Sequence, residues 1–263
     1  MSDLTKIGVA LTIGGAIGAG VVALALNPNA LKAKQGASTA SNELLPKLYI
    51  YEHCPFCVRA RMIFGLKKVK HDLVFLANHD EATPIGLVGA KQVPILELPN
   101  GKAMPESMDI VRYVDTNYGG SVLLKESANR EDLKKWIKDT SDVLRRLYHP
   151  RFHAALFAEF AQYESREYYR IKKEKTIGSF DDAIAQTPKL VAEANKYLED
   201  LADLLHSNHS VNESLSYDDI DLFGRLRGLT LVKDIKWPPK LREYIDYMSA
   251  ATDIALLDSM AEF

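Results

Sequence analysis

A chain of 263 residues with 33 basic and 35 acidic side chains carries a formal net charge of −2 at pH 7, which excludes a global electrostatic footprint for nucleic acid. Its 47% hydrophobic content is that of an ordinary folded protein, and the length is enough for a large core and two domains. Only two cysteines are present, so a four-sulfur zinc site is excluded as well.

Residues 7–26, opening at Ile7 and closing at Leu26, carry no charge. As a helix, such a run spans roughly 30 Å, one bilayer core. Lys6 flanks it on one side and Lys32 and Lys34 on the other, a near balance that leaves orientation open. Gly14 and Gly18 form a G-x-x-x-G pair, which we read as simple abundance of glycine in this run, not as a dimerisation face. The expectation is a retained single-pass anchor. A cleaved leader is its rival: Ala23-Leu24-Ala25 resembles a cleavage site, although the apolar core exceeds the usual length of about 7–15 residues. Residues up to 46 are polar and read as a flexible tether.

Residues 47–120 alternate between strand and helix signals and form the first expected domain. Lys47-Leu48-Tyr49-Ile50-Tyr51 is a β-prone run, and Val58, Met62, Leu66 and Val69 follow at helical spacing. His53-Cys54-Pro55-Phe56-Cys57 sits at that junction and holds both cysteines. C-x-x-C beside a βαβ pattern reads as a redox motif. The first turn of a helix has unpaired N–H groups and a partial positive charge, which favour a thiolate. Cys54, nearest the strand end, is therefore the expected attacking sulfur and Cys57, one turn in, the buried resolving thiol. Zinc would need distant histidines, a structural disulfide rarely uses this spacing, and His53 reads as a solvated turn residue.

A second strand is expected over residues 71–76 and a short helix from Thr83-Pro84, with Gly86 and Gly89 punctuating its end. A third strand opens at Val93-Pro94, where we expect a cis peptide against the general preference for trans. Asn100-Gly101 signals a hairpin into a fourth strand near residues 102–104, and a helix over residues 106–118 closes the unit. The order βαβαββα is that of a thioredoxin-like domain. Pro105-Glu106-Ser107 starts the last helix immediately after a strand. Its free N–H groups suit a carboxylate, although Ser, Glu and Pro serve equally well as plain helix caps.

Beyond a linker at residues 121–130, strand signals vanish, and residues 131–263 read as all-helical. A long helix is expected to end near His149-Pro150, a second to run over residues 152–160, and another to start at Thr187-Pro188 with Val191, Ala194, Leu198, Leu201 and Leu205 inward. Ser216 and Asp219 make a capping box, stapled by Leu215 and Ile220. Trp136, Tyr168, Tyr169 and Trp237 read as core or interface, and residues 170–175 as a solvated helix face.

The segments Tyr49-Ile50-Tyr51-Glu52-His53-Cys54-Pro55-Phe56-Cys57, Lys91-Gln92-Val93-Pro94-Ile95-Leu96, Met104-Pro105-Glu106-Ser107-Met108-Asp109-Ile110-Val111 and Ile235-Lys236-Trp237-Pro238 together resemble the glutaredoxin 2 family, the large two-domain bacterial glutaredoxins. The resemblance runs from about Lys47 to the end and leaves residues 1–46 outside the family pattern. It implies a glutathione-transferase-like fold and glutathione-dependent reduction of protein disulfides and glutathionylated proteins, with glutathione as co-substrate and no metal. By the same resemblance, Cys54 and Cys57 are the redox pair and Cys54 carries glutathione. The main chain of Val93 before cis-Pro94 pairs with its cysteinyl part, and Glu106 and Ser107 hold its γ-glutamyl end. Because glutathione is kept reduced in the cytosol, the expected catalytic part is cytoplasmic. The competing readings are a glutathione transferase, which the paired cysteines argue against, an exported protein after signal cleavage, and a non-catalytic membrane-associated module of the same fold.

Overall fold

The computed structural model describes residues 44–261; the apolar run at residues 7–26, with the anchor and leader readings attached to it, lies outside the described residues. From Leu44 the chain forms β1 (Lys47–Ile50), α1 (Pro55–Leu66), β2 (Asp72–Phe75), α2 (Ala82–Val88), β3 (Ile95–Glu97), β4 (Ala103–Pro105) and α3 (Ser107–Asn117). The strands lie in the order β2-β1-β3-β4, with β1 and β2 parallel and the other two pairings antiparallel. This is the expected βαβαββα arrangement. Parallel β1 and β2 require a crossover, which α1 supplies.

Helix α1 is the hub. Cys57, Val58, Ala60, Met62, Ile63 and Phe64 are all buried, because the helix packs on α3 and also against α8 (Tyr217–Leu226) and α9 (Pro239–Thr252) of the helical half. Fully burying side chains such as Met62, Ile63 and Phe64 is worth about 1.5–3 kcal/mol each. Two glycines permit the approach. A Cβ on Gly65 would lie 1.8 Å from the Thr252 carbonyl oxygen of α9. One on Gly224 of α8 would lie 2.9 Å from the Pro55 carbonyl oxygen, at the start of α1.

The remaining helices are α4 (Glu131–Ala154), α5 (Tyr163–Ile177), α6 (Phe180–Ala185) and α7 (Thr187–Leu204). Helix α7 turns Val191, Ala194, Leu198 and Leu201 inward as expected, Leu205 just after it is buried too, and Leu190 joins them. Ser216 caps α8, and Asp219 Oδ2 accepts the Ser216 N–H at 2.8 Å, so the capping box forms.

Two expectations in this half need correction. Helix α4 does not stop at His149-Pro150 but runs on to Ala154 with Pro150 inside it, and residues 152–160 are not a second helix. Pro150 removes one helical hydrogen bond. The turn after it is held instead by the burial of Phe152 among Phe157, Phe160, Tyr169 and Phe180. Arg166 closes the end by donating to the carbonyls of His153 and, at 3.2 Å, Ala155. Within the sheet half, Gly86 lies inside α2, and the end is marked by Gly89 alone, at φ +77°.

Candidate active site

Cys54 occupies the N-cap position of α1 and Pro55 its first turn. The proline has no N–H to leave unsatisfied there, and its fixed φ suits a helix start. Cys54 is partly exposed and Cys57 fully buried. The main-chain N–H of Tyr51 donates to Cys57 Sγ at 3.4 Å, which ties the inner sulfur to the end of β1.

The two thiols differ in acidity. Cys54 is lowered to about 6, chiefly by a hydrogen bond from the Cys57 thiol, against the opposing effect of burial. The charge of His53 and the N–H groups of Cys57 and Phe56 add to the lowering. Cys57 is pushed well up by burial, and then by the hydrogen bond and charge of Cys54. A helix N-terminus is where such separation is expected.

His53 is not a solvated turn residue. It is buried between Tyr51, Phe152, Phe160 and Tyr169, with ring centroids 4.9–5.8 Å away. Its Nδ1 lies 2.6 Å from Glu159 Oε1, and its main-chain N–H donates to the same oxygen at 3.0 Å. Glu159 sits on a short 3-10 turn between α4 and α5 and is itself buried. Burial pushes its carboxyl up, but the hydrogen bond and charge of His53 outweigh this and leave it below its ordinary range. Glu52, two residues before Cys54, is ion-paired too. Arg227 donates to the Glu52 carbonyl at 2.9 Å and pairs with its carboxylate, which also accepts Arg61 at 2.8 Å. Arg59, two residues beyond Cys57, pairs with Asp221 of α8. The helical half therefore grips the thiol-bearing loop from both sides.

Cys54 opens into a cleft of about 320 Å³ lined by Tyr51, His53, Lys91, Val93, Tyr169 and Lys173 among others. The Val93–Pro94 peptide is cis, as expected. Lys91 holds the floor, its ammonium donating to Tyr51 Oη at 2.7 Å, to the Asn78 carbonyl at 2.9 Å and to the Asp80 carbonyl. Glu106 and Ser107 do not line this cleft. The pairing of Ile95 with Pro105 sets them just beyond the position opposite Pro94, at the start of α3. Ser107 is buried, while Glu106 is exposed at φ +71°. That conformation is uncommon outside glycine, costs on the order of 1–3 kcal/mol and collects at ligand-binding turns.

The sequence reading missed Glu159, Lys91 and Lys173. Glu159 lies 106 residues from His53, and no local pattern announces the pair. Residues 170–175 are not wholly a solvated face: Lys173 is half-buried in the cleft beside Tyr169.

A four-stranded sheet with a thiol at the first helix start, backed by a helical half, defines a thioredoxin-like fold of the glutathione-transferase type. Comparison with known proteins agrees. A family model for the N-terminal domain of glutathione S-transferase matches residues 53–117, and one for the C-terminal domain of glutaredoxin 2 matches residues 132–261. Glutaredoxin 2 of Escherichia coli strain K12 is 43% identical over 215 residues, covering 82% of this chain and 99% of the relative. The crystal structure of glutaredoxin 2 from Salmonella typhimurium in complex with glutathione superposes with a TM-score of 0.80 at 44% identity, covering 83% of this chain and all of that one. A glutathione S-transferase of Ceriporiopsis subvermispora shares the fold at a TM-score of 0.57 and 17% identity, covering 83% of this chain and 98% of that one. The chain belongs to the glutaredoxin 2 family.

Proposed function

We propose that this protein is a glutathione-dependent thiol–disulfide oxidoreductase that reduces protein disulfides and glutathione mixed disulfides through Cys54 and Cys57. The observation that supports it best is the unequal pair itself: an accessible thiol lowered to about 6 over a buried thiol held protonated.

The Cys54 thiolate attacks one sulfur of the substrate disulfide. The S–S bond breaks, a new S–S bond forms to Cys54, and the other sulfur leaves as thiolate and takes up a proton. With a glutathionylated protein, Cys54 takes the glutathionyl sulfur. A free glutathione then attacks that sulfur, releasing oxidised glutathione and the Cys54 thiolate; the net exchange converts one glutathionylated protein and one glutathione into the protein thiol and oxidised glutathione. With a protein disulfide as substrate, Cys57 attacks the Cys54 sulfur of the mixed disulfide instead, releasing the protein dithiol and leaving a Cys54–Cys57 disulfide that two glutathiones reduce. The same structure explains the timing. Part of what holds the proton on Cys57 is the hydrogen bond and charge of Cys54. Both disappear once Cys54 enters a mixed disulfide, so the inner thiol becomes easier to ionise only when it is needed.

In this reading the main chain of Val93 pairs with the cysteinyl part of glutathione, and Glu106 and Ser107 take its γ-glutamyl end. The relative from Salmonella typhimurium, which was crystallised in complex with glutathione, supports the binding of glutathione. The test is reduction of the mixed disulfide between glutathione and hydroxyethanethiol, coupled to glutathione reductase. Cys54→Ser abolishes turnover, whereas Cys57→Ser retains it but loses reduction of protein disulfides. Equal loss in both variants contradicts the assigned roles.

The division at residues 47–120 and 131–263, and a cytoplasmic catalytic part anchored through residues 7–26, are readings from sequence alone. Membrane fractionation of the full-length protein with amino-terminal sequencing tests the second: an intact N-terminus in the membrane fraction supports it, and a processed one overturns it.

A further inference from the structure

Three lysines line the cleft, Lys91 on its floor from the sheet half and Lys172 and Lys173 on the opposite wall from α5, and their charges are unequally satisfied. Lys91 is saturated: its three ammonium hydrogens meet Tyr51 Oη, the Asn78 carbonyl and the Asp80 carbonyl. Lys172 donates to Tyr168 Oη at 2.9 Å and lies 4.7 Å from the centre of that ring. The Lys173 ammonium has neither hydrogen bond nor ion pair among the described residues and lies 5.5 Å from the Tyr169 ring centre.

Burial, followed by the charges of Lys172 and Arg145, disfavours the charged form of Lys173, and the one anionic group acting the other way is the Cys54 thiolate. That counter-charge is consumed in the reaction, since a sulfur in a mixed disulfide is neutral. At that stage the wall holds a half-buried ammonium with no anion facing it, and burying an uncompensated charge is costly. A carboxylate brought in by the substrate restores the balance, so it is favoured most strongly in the mixed-disulfide complex.

We propose that Lys172 and Lys173 form a carboxylate subsite for the protein side of the substrate, selecting disulfides whose cysteine has an acidic residue beside it. This rests on the thiol–disulfide exchange reading above. The cleft, at about 320 Å³, is sized for a side chain or two and not for a folded segment, which places the carboxylate within a residue or so of the substrate cysteine. The glycyl carboxylate of glutathione carries the same chemistry, and the experiment separates the two sources.

Two hexapeptides, each closed by an internal disulfide and differing only by Asp or Asn beside one of its cysteines, are assayed as substrates with the full-length protein, so that the peptide sulfur itself enters the mixed disulfide with Cys54. The expected kcat/KM ratio, Asp over Asn, is about five-fold at low salt, shrinking as added salt screens the pair. In the variant carrying K172Q and K173Q that ratio falls to about one. A ratio near one in the wild type, or one that survives in the variant, overturns the proposal. So does a rise in the KM for glutathione equal to the loss with the Asp peptide, because the lysines would then be holding the glycyl carboxylate. Failure of the wild type to reduce either peptide would instead reject the exchange reading on which the subsite depends. The salt dependence needs no variant.

Discussion

Glu159 accepts both the main-chain N–H of His53, at 3.0 Å, and its Nδ1, at 2.6 Å, on a single carboxylate oxygen. A residue of the helical half thereby holds the amino acid that precedes the attacking thiol. Because Nδ1 faces the carboxylate, the ring orientation is set, and the His53 charge that lowers Cys54 is held in place.

Glu159→Ala leaves a buried imidazole and a buried main-chain N–H without their acceptor. Removing one partner of a buried pair costs about 3 kcal/mol or more. Denaturant unfolding of Glu159→Ala is expected to show a loss of that order. Glu159→Gln, which keeps an acceptor but not the charge, should lose less and should shift the pH midpoint of Cys54 alkylation upward. An unchanged midpoint in a folded Glu159→Gln protein would separate the pair from the chemistry.

Gly65→Ala places a methyl group 1.8 Å from the Thr252 carbonyl oxygen, and neither helix backbone can yield cheaply. Overpacking of this kind costs on the order of 1–3 kcal/mol. Gly224→Ala pushes instead on the Pro55 carbonyl, 2.9 Å away, and on Arg59. It is expected to reduce kcat/KM for mixed disulfides as well as stability, because it displaces the start of α1. Thermal melts and steady-state assays on both variants check the contrast: Gly65→Ala acts on stability first, Gly224→Ala on both.

Stability of the reduced protein depends on pH through the two thiols, with opposite signs. Cys54 ionises near 6 in the folded state and near the ordinary thiol value, about 8.5, when unfolded. Between those values the unfolded chain binds the extra proton, so this contribution grows as pH rises from 6 and is lost as pH falls through 6. Cys57 is raised, so above about 8.5 the unfolded chain releases a proton that the folded state keeps, and stability declines again. Denaturation midpoints of the reduced protein, read as differences from Cys54→Ser, are expected to rise between pH 6 and 8.5. A flat difference contradicts the thiol acidity.

Most of the sheet half was legible because its signals are local: a β-prone run, a proline at a helix start, Asn100-Gly101 in a hairpin, and Val93-Pro94 before an apolar strand. The capping box at Ser216 and Asp219 was legible for the same reason. Pro150 misled because a local helix-breaking signal was overridden by distant aromatic packing around Phe152. His53 was misread because its partner lies on an unmarked turn far along the chain. Lys173 was misread as solvent-facing because charged runs usually are, and only the fold shows that this one borders the thiol cleft.

Catalysis by this protein depends on the acidity of a single sulfur. Alkylation of reduced protein by iodoacetamide, followed across pH with the site of modification identified by mass spectrometry, tests it directly. Rapid modification at Cys54 with a midpoint near 6 is expected, with Cys57 left unmodified in the same range. A midpoint at the ordinary thiol value of about 8.5, or modification beginning at Cys57, contradicts it.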